Sequence, residues 1–269
     1  MIKAAVLGSP ISHSLSPILH SSAYKYLGVD GSYEAIEVLA GDLGSFMAAV
    51  DSGWNNFSLT MPLKEELVAL GYPISDLALR IQSANTLHKT ATGWSATTTD
   101  VGGFVNALSM HGVEVKGNIV IIGAGATARA AASACDSVET HITVVTRSAA
   151  RIPAMSQAVQ FSELQCVSWE NLDLLNDADL VISTTPEGAT DEISSFFPLI
   201  TKAPYFEALY KPWPTVASKK WAEGGGQVID GLDLLIHQAM LQIEIFTGLT
   251  FDSDEIYGVL RDVGLEALK

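Results

Sequence analysis

Cysteine is scarce. The two present, Cys135 and Cys166, share no CxxC spacing, so neither a disulfide framework nor a thiolate metal site is expected, and both read as small buried hydrophobes. The six histidines, His13, His20, His88, His111, His141 and His237, show no HExxH or comparable ligand spacing, so no catalytic metal is expected. Basic residues are also few: fifteen against thirty acidic residues give a formal charge of −15. That charge repels nucleic acid and anionic membrane surfaces at long range, and neither is an expected partner. Long hydrophobic runs are missing too, since no window approaches the roughly 18 uninterrupted apolar residues of a spanning helix. The most apolar late segment, Gly231 to Leu249, is broken by Asp233, His237, Gln238, Gln242 and Glu244 and reads as a buried amphipathic helix. The opening run Met1 to Gly8 is too short for the hydrophobic region of a signal peptide. A cytoplasmic protein is expected, and with 48% apolar residues in 269 it can bury a large core.

What is present alternates between strand and helix patterns. β-rich runs at 4–7, 33–38 and 57–60 are each followed by a helical stretch. Ser16 reads as an N-cap with Pro17 in first helical position, and Asp42 stands before Leu43, Phe46, Met47 and Val50 at helical spacing. Residues 84–88 and 93–96 read as a hairpin. A second α/β pattern has strands near 118–122, 140–146, 179–183, 204–208 and 227–230. Two of them, Ile119–Ile122 and Ile142–Val145, are continuous apolar runs, as in a parallel sheet covered on both faces. A long helix at 231–246 and a polar one near 252–264 close the chain, and the boundary between the patterns falls at 101–117, on a connecting helix Val101–His111.

The strand Ile119–Ile122 runs into Gly123-Ala124-Gly125-Ala126-Thr127 and then an alanine-rich helix. Glycine permits the tight turn and close backbone approach, and the new helix offers unpaired N–H groups to a pyrophosphate, so strand, turn and helix together point to a dinucleotide. An NAD site usually carries an acidic residue at the end of the next strand. Here Thr146-Arg147-Ser148 stands there, with Arg151 four residues after Arg147. Two guanidinium groups suit a ribose 2′-phosphate, which favours NADP.

Four polar clusters precede that turn: Ser14-Leu15-Ser16-Pro17, Thr60-Met61-Pro62-Leu63-Lys64, Ala84-Asn85-Thr86 and Thr99-Asp100. Singly, each has a plain alternative as a helix cap, a turn or a solvated lysine. In this order, and followed by the Gly-Ala-Gly turn, Thr146-Arg147-Ser148, Ser183-Thr184-Thr185, Tyr210-Lys211-Pro212, Asp230-Gly231-Leu232 and Gln238-Ala239, they resemble the successive signatures of the shikimate dehydrogenase family, which includes shikimate/quinate dehydrogenases. The resemblance spans essentially the whole chain.

The resemblance implies an α/β, two-domain fold. An N-terminal α/β substrate domain, residues 1–102 completed by 232–269, would be joined to a Rossmann-type NADP domain at 103–231, with the C-terminal helices returning to the first domain and the active site in the cleft. It implies that Ser14 and Ser16 bind the substrate carboxylate and that Ser58, Thr60, Asn85, Asp100, Tyr210 and Gln238 hold the rest of the molecule. Lys64 and Asp100 would be catalytic, flanking the reacting C3 oxygen. Gly123, Ala124, Gly125, Ala126, Thr127, Thr146, Arg147, Ser148, Arg151, Thr184, Ala208 and Gly231 match the cofactor-contacting stretches, with Asp76 a further candidate. The implied reaction is the reversible reduction of 3-dehydroshikimate to shikimate by hydride transfer from NADPH, in a monomer or homodimer. Departures bear on the substrate: Ser58 stands where the family usually has asparagine, Thr97-Thr98 where Asp-Asn is usual, and Glu207 where aspartate is usual. A paralogue acting on quinate or another cyclic hydroxy acid, and a non-catalytic NADP-binding sensor on the same fold, are the alternatives.

Overall fold

A computed structural model describes all 269 residues, Met1–Lys269, which form two compact units: Met1–Gly103 with Leu235–Lys269, and Phe104–Leu234.

The first unit is built on a mixed five-stranded sheet. Its elements are β1 (Ile2–Gly8), α1 (Ser16–Tyr26), β2 (Gly31–Glu37), α2 (Leu43–Ala49), β3 (Asn56–Leu59), α3 (Leu63–Ala69), α4 (Asp76–Arg80), β4 (Thr86–Thr90) and β5 (Gly93–Thr97). The strand order is β2-β1-β3-β4-β5, parallel across β2, β1 and β3 and antiparallel from β3 to β5. Position explains composition: β1, with a parallel neighbour on each side, is almost wholly buried, whereas the edge strand β2 buries only Tyr33 fully. Leu7, Leu43, Phe57, Leu63, Leu67 and Leu87 fill one core beside the sheet.

One helix start differs from the sequence expectation, and a second, placed as expected after Asp42, is held by an unexpected partner. Ser16 is not the N-cap: α1 begins at Ser16 itself, Leu15 occupies the cap position without a side-chain bond, and the Ser14 hydroxyl accepts the Ser16 N–H at 3.3 Å. The Asp42 side chain does not cap α2 either. The Glu66 carboxylate, from α3, accepts the Gly41 and Leu43 N–H groups at 3.0 Å each, so a longer side chain from a neighbouring helix supplies the anion that the N-terminus attracts.

In the second unit the sheet is entirely parallel. After α5 (Asp100–Met110) come β6 (Gly117–Ile122), α6 (Ala126–Ala134), β7 (Thr140–Thr146), α7 (Ile152–Ala158), β8 (Glu163–Ser168), β9 (Leu180–Ser183), β10 (Tyr205–Glu207), α8 (Val216–Glu223) and β11 (Val228–Ile229). The order β11-β10-β9-β6-β7-β8 is the doubly wound Rossmann arrangement, with its switch point between β6 and β9. Sequence patterning overlooks β8. It is an edge strand whose residues are exposed or half-buried, so it carries no apolar run to betray it.

The helices α9 (Gly231–Thr247) and α10 (Ser253–Ala267) end the chain. Asp252 caps α10, its carboxylate accepting from the Asp254 and Glu255 N–H groups. The helix then packs along α1, where the Tyr26 hydroxyl donates to Glu255 at 3.0 Å. The chain thus returns to its first unit. No helix is long and apolar enough to cross a membrane.

Candidate active site

Lys64 lies in the first turn of α3, directly after the turn that contains the cis Met61–Pro62 peptide. Backbone bonds fasten that turn to the end of β1: the Thr60 N–H donates to Leu7 and the Ser9 N–H to Met61. Glycine is required at position 8, because a Cβ there would stand 2.4 Å from the Thr60 side chain and 2.8 Å from the Met61 carbonyl. The Lys64 carbonyl in turn accepts the Ala84 N–H, which brings the segment leading into β4 alongside.

On this frame the side chains converge. The Lys64 ammonium is 2.7 Å from Asp100 Oδ2, both groups largely out of solvent. The Asn85 amide nitrogen donates toward Asp100 Oδ1 at 2.9 Å, Thr99 Oγ1 at 2.9 Å and Gln238 Oε1 at 2.7 Å. Its carbonyl oxygen accepts the Thr99 N–H and the Thr86 hydroxyl at 2.8 Å each. Two amide hydrogens facing three oxygens leave polar capacity for a further group among them. One helical turn beyond Gln238, Gln242 donates to the main-chain carbonyl of Asn85 at 3.1 Å and the Thr86 hydroxyl at 3.0 Å, and accepts from Ser58 at 2.8 Å. Ser58 itself accepts the Tyr33 hydroxyl at 2.6 Å.

A continuous buried path therefore runs Tyr33, Ser58, Gln242, Asn85, Asp100, Lys64. Burial pushes the Tyr33 phenol up and holds His20, stacked on Tyr33 at 4.0 Å, down to about 3 and hence neutral. Lys64, Asn85, Asp100, Gln238 and Ser58 are thus joined in one network, and Ser14 and Ser16 sit together at the start of α1. Thr60, half-buried, is on the turn before Lys64. Gln242 and Tyr33 are absent from the sequence-derived set. The available signal for Gln242 was its place four residues after Gln238, on the same helical face.

The second unit holds the candidate cofactor cradle. Gly123 has φ +112°, and a Cβ there would meet the Thr184 hydroxyl at 2.6 Å, so the turn requires glycine. Gly125 precedes the first turn of α6 in extended conformation, with open space where its Cβ would be. That opening and the free N–H groups of the nine-residue helix fit a pyrophosphate. Ala128, Ala130, Ala131 and Ala132 are fully buried, so the helix lies close on the sheet. Thr146, at the end of β7, is buried and accepts the Ser148 N–H at 3.1 Å, while Arg147, Ser148 and Arg151 are exposed. Ala208 and Gly231 are in intimate contact, since a Cβ on Gly231 would be 2.2 Å from the Ala208 carbonyl. Tyr210 follows in the same loop, half-buried. Asp76, by contrast, belongs to the first unit, exposed in the opening turn of α4.

The model of the shikimate dehydrogenase substrate-binding domain matches residues 6–87, and that of shikimate / quinate 5-dehydrogenase matches residues 107–193. A shikimate dehydrogenase (NADP(+)) of Gloeothece citriformis is 31% identical over 96% of this chain and 94% of its own. The chain belongs to the shikimate dehydrogenase family. The crystal structure of Mycobacterium tuberculosis shikimate dehydrogenase superposes with a TM-score of 0.86 at 32% identity, covering 98% of this chain and all (100%) of that one. The Thermus thermophilus enzyme, solved in complex with NADP(H) and shikimate, gives a TM-score of 0.86 at 30% identity over 98% of this chain and 100% of that chain.

Proposed function

We propose that this chain interconverts 3-dehydroshikimate and shikimate with NADP, using Lys64 and Asp100 as its catalytic pair. The observation that carries the reading is the Lys64–Asp100 ion pair at 2.7 Å, locked through Asn85 to Gln238. A lysine and an aspartate held so far out of water are a costly pair unless it is used or fully satisfied.

NADP, when bound, supplies or accepts the hydride. The protein's part is the proton and the orientation. As a ketone is reduced, the ammonium of Lys64 donates to the oxygen where negative charge develops, and Asp100 keeps that ammonium aimed. In the oxidative direction the same pair receives the hydroxyl proton. Asn85, Gln238 and Thr60 hold the ring hydroxyls, with Tyr210 as a further contact. The Ser14 and Ser16 hydroxyls, at the start of α1, receive the carboxylate, a way to bind an anion without a basic partner. In the second unit, residues 123–127, Thr184, Ala208 and Gly231 cradle the dinucleotide, and Arg147 and Arg151 receive its 2′-phosphate. Ser58, engaged by Tyr33 and Gln242, acts on the substrate through Asn85 rather than by reach of its own.

The reaction belongs to the chorismate route to aromatic amino acids, and both cysteines are free, which suits a reducing cytoplasm. The test is an absorbance assay at 340 nm, following NADP reduction with shikimate, with quinate, and without substrate. The reading requires turnover with shikimate at a kcat/KM above that for quinate. Quinate turned over as well or better transfers the assignment to a quinate dehydrogenase, and no turnover with either favours the non-catalytic alternative. Shikimate KM unchanged in the Ser14→Ala, Ser16→Ala double variant removes the carboxylate site.

A further inference from the structure

Beyond Ser168, the last residue of β8 and the register partner of Thr146 on β7, the chain continues into Trp169. Beyond Thr146 it continues into Arg147. The two side chains meet: the Arg147 guanidinium carbon lies over the Trp169 ring, 5.0 Å from its centroid. Trp169 is half-buried and packs against the core group that includes Val145, Leu172 and Leu175, whereas Arg147 is exposed. One partner is thus seated in the fold and the other rests on it.

We propose that Trp169 is a positioning residue for cofactor choice, the platform that holds the Arg147 guanidinium toward the 2′-phosphate of NADP. The inference rests on the reading of Arg147 as a ligand of that phosphate. An exposed arginine surrenders rotamer freedom when it pairs with an anion. A guanidinium already resting on an indole has surrendered part of that freedom beforehand, which is preorganisation in the ordinary sense. The attraction is to the face of the ring, so the N–H donors at the edge of the guanidinium stay available for a phosphate, and a flat cation is better suited to this than an ammonium. The tryptophan belongs to none of the nucleotide-binding signatures and follows a strand that sequence patterning overlooks. Its role is visible only because β7 and β8 are paired in register.

The experiment is calorimetric titration of 2′,5′-ADP and of 5′-AMP, which lacks only the 2′-phosphate, into the full-length wild-type protein, Trp169→Leu and Trp169→Phe. Leucine keeps an apolar group in the core but has no π face. Trp169→Leu is expected to weaken 2′,5′-ADP about three- to fivefold, to leave 5′-AMP unchanged, and to have no further effect once Arg147→Ala is present. Trp169→Phe, which keeps a ring, is expected to restore most of the loss. Arg147→Lys leaves the indole untouched and provides an independent arm, with a loss at least as large as that of Trp169→Leu. The proposal is overturned by unchanged 2′,5′-ADP affinity in Trp169→Leu or in Arg147→Lys. It is equally overturned by parallel weakening of both ligands, or by a Trp169→Leu effect that persists without Arg147. Equal affinity of the wild-type protein for the two ligands would instead fail the 2′-phosphate reading beneath it.

Discussion

The two candidate sites are built in opposite ways. In the first unit the functional groups are side chains, buried and bonded to one another: Asn85 and Asp100 are 0% and 3% exposed, and Asn85 alone engages Thr86, Thr99, Asp100 and Gln238. In the second unit the cradle is backbone, formed by the Gly123 turn and the start of α6, and its cationic groups, Arg147 and Arg151, stand in solvent. The difference matches the two proposed tasks. Moving a proton at a chosen oxygen needs preset charge in a dry setting. Recognising a polyphosphate needs N–H groups with clear approach and cations that adjust to it. The chain's formal charge of −15 sharpens the contrast, because anionic ligands must be met by local positive potential rather than by the protein's overall field.

The comparison breaks most visibly at Asp100. Asp100→Asn keeps the shape of the buried network but leaves the Lys64 ammonium beside a neutral amide; kcat is expected to fall by about a hundredfold or more, with NADP affinity unchanged. Steady-state kinetics together with a cofactor titration checks both halves. A comparable loss of NADP affinity would mean that the two sites are not separable in this way.

A smaller effect is expected from the solvent-exposed pair. The double variant Arg147→Ala, Arg151→Ala should lower the preference for NADP over NAD at least about tenfold in kcat/KM, since two charge-assisted contacts are removed. With saturating NADP its kcat should stay close to that of the wild type. An unaltered cofactor ratio would remove both arginines from the 2′-phosphate site.

The smallest effect concerns a buried acid behind the Tyr210 loop. Glu207 accepts the Tyr205 hydroxyl at 3.1 Å and the Thr215 hydroxyl at 3.3 Å, and burial pushes its carboxyl from the usual 4.5 up to about 7. The folded state therefore keeps a proton that the unfolded chain releases. The stabilisation is complete below about pH 4.5 and is lost as pH rises through about 7. Glu207→Gln, neutral throughout, should lack this loss. Between pH 5 and pH 8 its stability relative to wild type should rise by on the order of 2–3 kcal/mol, measured by urea unfolding at the two values. Parallel pH dependence in the two proteins would contradict the buried, protonated state of Glu207.

Much of this organisation is legible in the sequence where a local signal exists. The Gly123 turn and the apolar runs of β6 and β7 announce themselves within a few residues, whereas the clusters around Lys64, Asn85 and Asp100 speak only through their order along the chain and the family resemblance it carries. What escapes has no local signature. β8 is a polar edge strand. The anion at the start of α2 comes from Glu66 on α3 rather than from the adjacent Asp42. Ser58 and Gln242 are 184 residues apart in the chain yet share a hydrogen bond. Read alone, Ser58 is a shortened substitute for a ligand-binding asparagine. In the fold it is a link between Tyr33 and Gln242, and only tertiary contact distinguishes the two roles.

On the proposed mechanism, Lys64 acts in the chemical step and not in holding either ligand. A single-turnover measurement at 340 nm tests it, with wild type and Lys64→Ala each saturated with NADP and shikimate. The expected result is a rate of NADPH formation lowered at least about a hundredfold in Lys64→Ala, with much smaller changes in the affinity for shikimate. A folded Lys64→Ala protein that reduces NADP at close to the wild-type rate would contradict the claim and remove Lys64 from catalysis.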